Sequence, residues 1–93
     1  MKVENFKDAK KFTDIPNIGP ALSERFKMLG FTKPENLKGK DPLVLYKKLC
    51  KLTGSKEDPC VLDTFMAAID FMNGKDARPW WKYTKERKKK YAI

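Results

Sequence analysis

The sequence predicts an all-α fold, a compact domain of about five helices over residues 1–93. No stretch alternates apolar and polar residues as a half-buried strand does, whereas apolar residues recur at helical spacing. Prolines and glycines support the same prediction, because Asp41-Pro42 and Asp58-Pro59 resemble helix starts while Gly30, Gly54 and Gly74 resemble helix ends.

The first two predicted helices flank a short loop. One covers residues 6–14, and the next starts at Pro20, since proline suits the first helical turn, and ends at Gly30. At about 100° per residue, the apolar side of this second helix contains Leu22, Phe26 and Leu29. Its solvent-facing side contains Ser23, Glu24 and Lys27.

Two longer helices follow a short turn at residues 34–37. They are predicted to cover residues 42–53, with Gly54 as the stop, and residues 59–72, which Asn73-Gly74 ends. The inner face of the former contains Leu45, Tyr46, Leu49, Cys50 and Leu52, and its wet face contains Lys47, Lys48 and Lys51. The inner stripe of the latter contains Val61, Phe65, Ala68, Ile69 and Met72. A last helix or ordered tail begins near residue 78.

Candidates for catalysis or metal binding are few. Cys50 and Cys60 are predicted to be reduced, and with no histidine in the chain neither a zinc site nor a cysteine-protease dyad is expected. Cys60 lies near a helix N-terminus, where a thiol pKa can be lowered. Asp63 and Asp70 share one helix face two turns apart, and a solvated face that pairs with lysines is favoured over a metal or acid/base pair. We therefore expect no enzymatic activity, no cofactor and no small-molecule substrate.

The net charge is +9, and its excess lies near the two ends. Residues 75–93 hold 8 Lys/Arg against 2 Asp/Glu, whereas residues 41–74 hold 4 against 5. Such a distribution favours a polyanionic partner through attraction and counterion release. No apolar stretch approaches the roughly 20 residues that cross a bilayer, so no membrane partner and a cytoplasmic location are expected.

The stretch Phe12-Thr13-Asp14-Ile15-Pro16-Asn17-Ile18-Gly19-Pro20 resembles the helix-hairpin-helix motif of DNA repair and processing proteins. Pro16 is expected to end the first helix, and Gly19 is expected to permit a tight turn. Ile18 is expected to pack into the groove between the two helices and so to hold the hairpin there. Unpaired amides at the next helix N-terminus could then receive a phosphate oxygen. Alternatively, the hairpin only packs two helices. Asn17 and Ala21 stand where the motif has glycine and often a basic residue, which predicts weaker phosphate binding.

The basic C-terminal segment, about residues 78–93, contains Trp80 and Trp81 among cations. Aromatic rings between lysines could stack bases while the lysines hold phosphates. Alternatively, one tryptophan anchors the segment on the core and the basic run is solvated.

The chain as a whole resembles the small bacterial proteins of the "pathogenicity locus" family, some of which carry a mitomycin-resistance label. The resemblance runs from the hairpin and Leu29-Gly30-Phe31 through Glu35-Asn36-Leu37-Lys38-Gly39, Asp41-Pro42 and Asp58-Pro59-Cys60 to Arg78-Pro79-Trp80-Trp81. It covers about three-quarters of the chain, and it implies a fold of the SAM or helix-hairpin-helix kind.

The leading hypothesis is sequence-independent binding of nucleic acid, DNA more than RNA, by hairpin amides and the basic C-terminal segment. The predicted binding residues are Asn17, Ile18, Gly19, Ala21, Ser23, Lys27, Arg78, Lys82, Lys85, Arg87 and Lys88. The alternative is a protein-interaction or homodimerisation module in which the hairpin serves as a packing element.

Overall fold

The computed structural model describes residues 2–93, whose regular structure consists of α-helices and short 3-10 turns. The helices are α1 (Pro20–Met28), α2 (Pro42–Thr53), α3 (Pro59–Met72) and α4 (Thr84–Tyr91). The 3-10 turns are Phe6–Asp8, Phe12–Asp14, Pro34–Leu37 and Trp80–Tyr83. Residues 2–93 contain no strand, which confirms the predicted all-α class, although four α-helices stand in place of about five.

The helix predicted over residues 6–14 is wrong, because this segment forms two 3-10 turns joined by extended backbone. The carboxylate of Asp14 accepts hydrogen bonds from the amides of Lys10 and Lys11, each over 3.0 Å. A continuous helix would pair those amides with carbonyls four residues earlier. Since isolated helices shorter than about 12 residues are marginal in water, these local bonds decide the conformation.

The starts of the two long helices are confirmed. Oδ1 of Asp41 accepts from the amide of Leu43 over 2.9 Å, and Oδ1 of Asp58 accepts from the amide of Cys60 over 2.9 Å. Each aspartate is therefore an N-cap. Gly54 ends α2 with φ of 70°, a left-handed conformation that glycine adopts without steric cost.

Helix α3 lies at the centre of the core and is buried on almost every side. Ten of its 14 residues are buried, including the predicted inner residues Phe65, Ala68, Ile69 and Met72. In α2, Leu45, Tyr46 and Leu49 are buried as predicted, but the prediction for Leu52 is wrong. All four residues from 51 to 54 are exposed, so the last turn of α2 projects into solvent.

A row of three aromatic rings fixes the hairpin against α3. The rings of Phe12 and Phe26 lie 5.2 Å apart, and those of Phe26 and Phe65 stack at 5.1 Å. Ile15 and Ile18, on the hairpin itself, are completely buried. The segment before α1 is therefore packed into the core, which fixes the position of the α1 N-terminus. Among the helices of residues 2–93, none has the length and apolar character needed to cross a membrane.

Candidate nucleic-acid interface

The hairpin turns at Asn17, which has a φ of 74°. Gly19 has φ of −99° and ψ of −174°, an extended conformation that any residue adopts. The expectation that Gly19 makes the tight turn is therefore wrong, and the left-handed position belongs to the asparagine. A Cβ added at Gly19 would meet no atom within 4 Å. Neither backbone conformation nor internal packing requires glycine at this position.

The first turn of α1 has unpaired amides. Gly19 caps the helix without a side-chain hydrogen bond, and Pro20 has no amide hydrogen. The carbonyl of Gly19 accepts from the amide of Ser23 over 2.9 Å, which begins the intrahelical bonding. The amides of Ala21 and Leu22 keep the unpaired state of a helix N-terminus, where the macrodipole favours an anion.

Asn17 joins the hairpin to the C-terminal segment. Its Nδ2 donates to the carbonyl of Arg78 over 2.8 Å, and its Oδ1 accepts from the amide of Trp80 over 3.3 Å. Both ends of the carboxamide are used inside the chain. The predicted binding role of Asn17 thus becomes one of positioning, since it brings together two segments that are 61 residues apart in sequence.

A cavity of about 380 Å³ runs beside α1 from its first residue. Its lining includes the lysines Lys10, Lys11 and Lys27, with Glu24 as the only acidic residue among the lining residues. Lys27 is exposed as predicted, and its Nζ lies 3.5 Å from Oε1 of Glu24. Ser23 is 8% exposed, so its expected solvent-facing position is wrong. Lys10 and Lys11 were not among the predicted binding residues, although two adjacent lysines directly before the motif could have indicated a basic surface there.

The C-terminal segment surrounds a second basic cavity of about 310 Å³. Its lining contains Arg78, Lys82, Lys85, Glu86 and Lys89. The guanidinium of Arg78 lies 4.4 Å from the centre of the Tyr83 ring, a cation–π contact that orients it. The predicted residue Lys88 is exposed nearby in α4. Four of the five predicted C-terminal cations are thus accessible.

Comparison with known proteins identifies the family. A model of the family described as "Pathogenicity locus" matches residues 5–89. The chain belongs to the Pathogenicity locus family. It is also 40% identical over 85 residues to the mitomycin resistance protein McrB of Streptomyces lavendulae, an alignment that covers 91% of this chain and 81% of that relative. No solved structure matches the chain. The family membership predicted from the motifs is confirmed.

Three predicted binding residues of this Pathogenicity locus protein, Ile18, Ser23 and Arg87, have buried side chains. Arg87 is 6% exposed, and its Nε donates to Oδ1 of Asp63 over 2.7 Å. Its Nη1 donates to the carbonyl of Ile93 over 2.7 Å, and Thr84 Oγ1 donates to Asp63 Oδ2 over 2.7 Å. Arg87 therefore holds α4 against α3 and is unavailable to a ligand. The solvated position expected for Asp63 is wrong for the same reason.

Cys60 of this family member lacks the predicted activation. Burial raises the pKa of its thiol, and the neighbouring Asp58 adds to that increase. The expectation of a lowered pKa at Cys60 is therefore wrong. Both Cys50 and Cys60 are free thiols. Within the part of the chain that the structure describes, no three His, Cys, Asp or Glu side chains are grouped so that they could hold a metal ion.

Asp70, the other carboxylate singled out in the sequence, accepts a hydrogen bond from the Tyr83 hydroxyl over 3.0 Å. Burial and this contact raise the pKa of Tyr83 to about 12. Asp70 also lies 3.7 Å from the ammonium of Lys75. The predicted lysine pairing is present in the structure, but Asp70 additionally ties the segment before α4 to α3.

Proposed function

We propose that this Pathogenicity locus protein binds the sugar-phosphate backbone of nucleic acid, DNA in preference to RNA, and catalyses no reaction. In this proposal residues 12–29 act as a variant of the helix-hairpin-helix motif, in which the 3-10 turn Phe12–Asp14 replaces the first helix and the amides of Ala21 and Leu22 hold one phosphate. The observation that carries it is the junction made by Asn17, whose hydrogen bonds tie the loop directly before α1 to residues 78 and 80 of the basic C-terminal segment. A ligand at this junction meets helix-dipole and lysine charge together.

The footprint extends in two directions from that junction. Lys10, Lys11 and Lys27 lie along α1, and a second group of cations lies around Arg78. All these groups can donate to phosphate, and phosphate contacts carry no sequence information, so the proposal includes little sequence preference. With about three phosphates neutralised, the slope of log affinity against log salt concentration is expected near −3.

The glycine at the junction offers a test that separates binding from folding. Gly19→Val is expected to lower the free energy of unfolding by no more than about 1 kcal/mol, because valine is a poorer N-cap than glycine but a Cβ added there meets no neighbouring atom. The same side chain covers the approach to the amides of Ala21 and Leu22, so affinity for a fluorescent oligonucleotide is expected to fall about tenfold, the loss of one charge-assisted hydrogen bond. Fluorescence anisotropy at low salt measures it. Unchanged affinity in a folded variant would exclude the hairpin as the phosphate site.

Matched charge variants test whether the C-terminal cations act as a site. Replacing Lys82, Lys85 and Lys88 together by glutamine is expected to weaken binding about tenfold and to make the salt slope shallower by about one per lost phosphate contact. The control replaces Lys47, Lys48 and Lys51, which are exposed on α2 and carry the same total charge. Equal losses in the two triple variants would mean general charge attraction, and the proposed interface would be wrong.

A protein-interaction function is the second candidate, and an exposed face of α2 favours it. Val44 and Leu52 are 58% and 52% exposed and lie two turns apart on that helix. The hairpin itself offers less apolar surface, because Ile15 and Ile18 are buried inside the chain. A dimer whose light-scattering mass persists in high salt and falls to the monomer in Val44→Lys would support this candidate.

A further inference from the structure

Trp81 is the most exposed large apolar side chain in the described part of the protein. It is 60% exposed, whereas Trp80 is half-buried and its amide is bound by Asn17. The two indoles meet nearly at a right angle, 86° between planes, with centres 5.9 Å apart. This contact restrains the Trp81 ring while leaving most of it open to solvent. Trp80 therefore anchors the segment, whereas most of the Trp81 side chain is in contact with solvent.

Cations follow the open indole along the chain. Lys82 follows it directly, and Lys85 and Lys88 lie four and seven residues later, the spacing that places residues on one side of a helical run. Lys82, Lys85 and Lys88 are all exposed. An exposed aromatic ring flanked by lysines is the arrangement that proteins use to stack a base while holding the adjacent phosphates.

Trp81 follows directly after the residue that is hydrogen-bonded to the hairpin. Trp80, its immediate neighbour, is hydrogen-bonded to Asn17, and Asn17 precedes the unpaired amides at Ala21 by four residues. The ring and the amides thus belong to two segments that are hydrogen-bonded to each other, and we expect one strand to reach both. In a fully paired duplex the bases are stacked inside and present no face to a side chain, so only an unpaired base can use this ring.

We propose that Trp81 stacks an unpaired base of a DNA strand whose backbone is held at the N-terminus of α1 and by Lys85 and Lys88. This inference rests on the proposed function and narrows its ligand from nucleic acid in general to single-stranded DNA or DNA with unpaired bases. The ring contributes affinity without selecting a base, because every base has a π face.

The test compares two probes on the full chain: a fluorescein-labelled oligodeoxythymidylate of about 12 nucleotides, which is within the range of single-strand site sizes, and a blunt duplex of equal length. Trp81→Ala is expected to weaken single-strand binding about tenfold and to leave duplex binding unchanged, while Trp81→Phe keeps most of the single-strand affinity. Because the indole is exposed, its removal is expected to leave the circular dichroism spectrum and the unfolding midpoint nearly unchanged.

A spectroscopic measurement supports the assignment independently of affinity. In a Trp80→Phe variant the only remaining indole is Trp81, and stacking of thymine is expected to quench its fluorescence, whereas the duplex leaves it bright. Trp81→Ala that binds the single strand as tightly as the wild type, or that loses equal affinity for both probes, overturns the inference while the proposed function stands. If the wild type binds neither probe at low salt, both proposals are wrong.

Discussion

Asp63→Ala is expected to lower the free energy of unfolding by about 3–5 kcal/mol, the cost of leaving a buried charge without its partner. The carboxylate is 1% exposed and receives short hydrogen bonds from Arg87 and Thr84. Its removal leaves the guanidinium of Arg87 beside α3 with only the carbonyl of Ile93 as acceptor. Against a typical total stability of about 5–15 kcal/mol, this is a large fraction. Urea unfolding followed by circular dichroism measures it.

An exposed ion pair provides the control for that experiment. Glu24 pairs with Lys27 over 3.5 Å with both side chains largely in solvent, so Glu24→Ala is expected to cost at most about 1 kcal/mol. The double variant Asp63→Leu with Arg87→Met is expected to be more stable than either single variant, because it leaves no unpaired charge. A loss below about 1 kcal/mol for Asp63→Ala would contradict the structural role assigned to the pair.

Asn17→Ala is expected to lower the free energy of unfolding by about 3–4 kcal/mol, from two causes. Alanine at φ of 74° is strained by about 1–2 kcal/mol, and two hydrogen bonds to the C-terminal segment, each worth about 1 kcal/mol, are lost. Asn17→Gly separates these causes, since glycine relieves the strain and loses only the bonds. The expected cost of Asn17→Gly is about 2 kcal/mol, from the two lost hydrogen bonds. Equal stability of the two variants would contradict the strain argument.

The ends of the helices could be predicted because the information is local. Asp41-Pro42 and Asp58-Pro59 each combine a capping side chain with a proline that fits the first helical position, and neither needs a distant partner. The same locality explains why the 34–37 turn was predicted at its observed place. The prediction of a helix over residues 6–14 failed because the side chain of Asp14 accepts hydrogen bonds from amides that a helix would pair with its own carbonyls.

The errors at the candidate interface came from partners far away in sequence. In the run 85–90 one arginine stands among lysines, and arginine is the cation that proteins prefer for buried pairs, but its partner Asp63 lies 24 residues earlier. Helical angles predicted that Asp63 lies on a solvent-exposed side of α3. This helix has few charged residues, however, and is buried on almost every side. The bonds of Asn17 to residues 78 and 80 had no local signature either.

The attachment of the C-terminal segment couples the proposed interface to the stability of the fold. The segment is held by the Asn17 bonds, the Tyr83 contact with Asp70 and the pair of Arg87 with Asp63, whereas the aromatic row of Phe12, Phe26 and Phe65 lies outside it. Opening that detaches residues 78–93 exposes Tyr83 and leaves Asp63 without Arg87, so it requires a large fraction of the free energy of global unfolding. Such opening parts the indole and lysines from the hairpin amides, so amide hydrogen exchange in α4 reports the fraction of molecules whose interface is assembled.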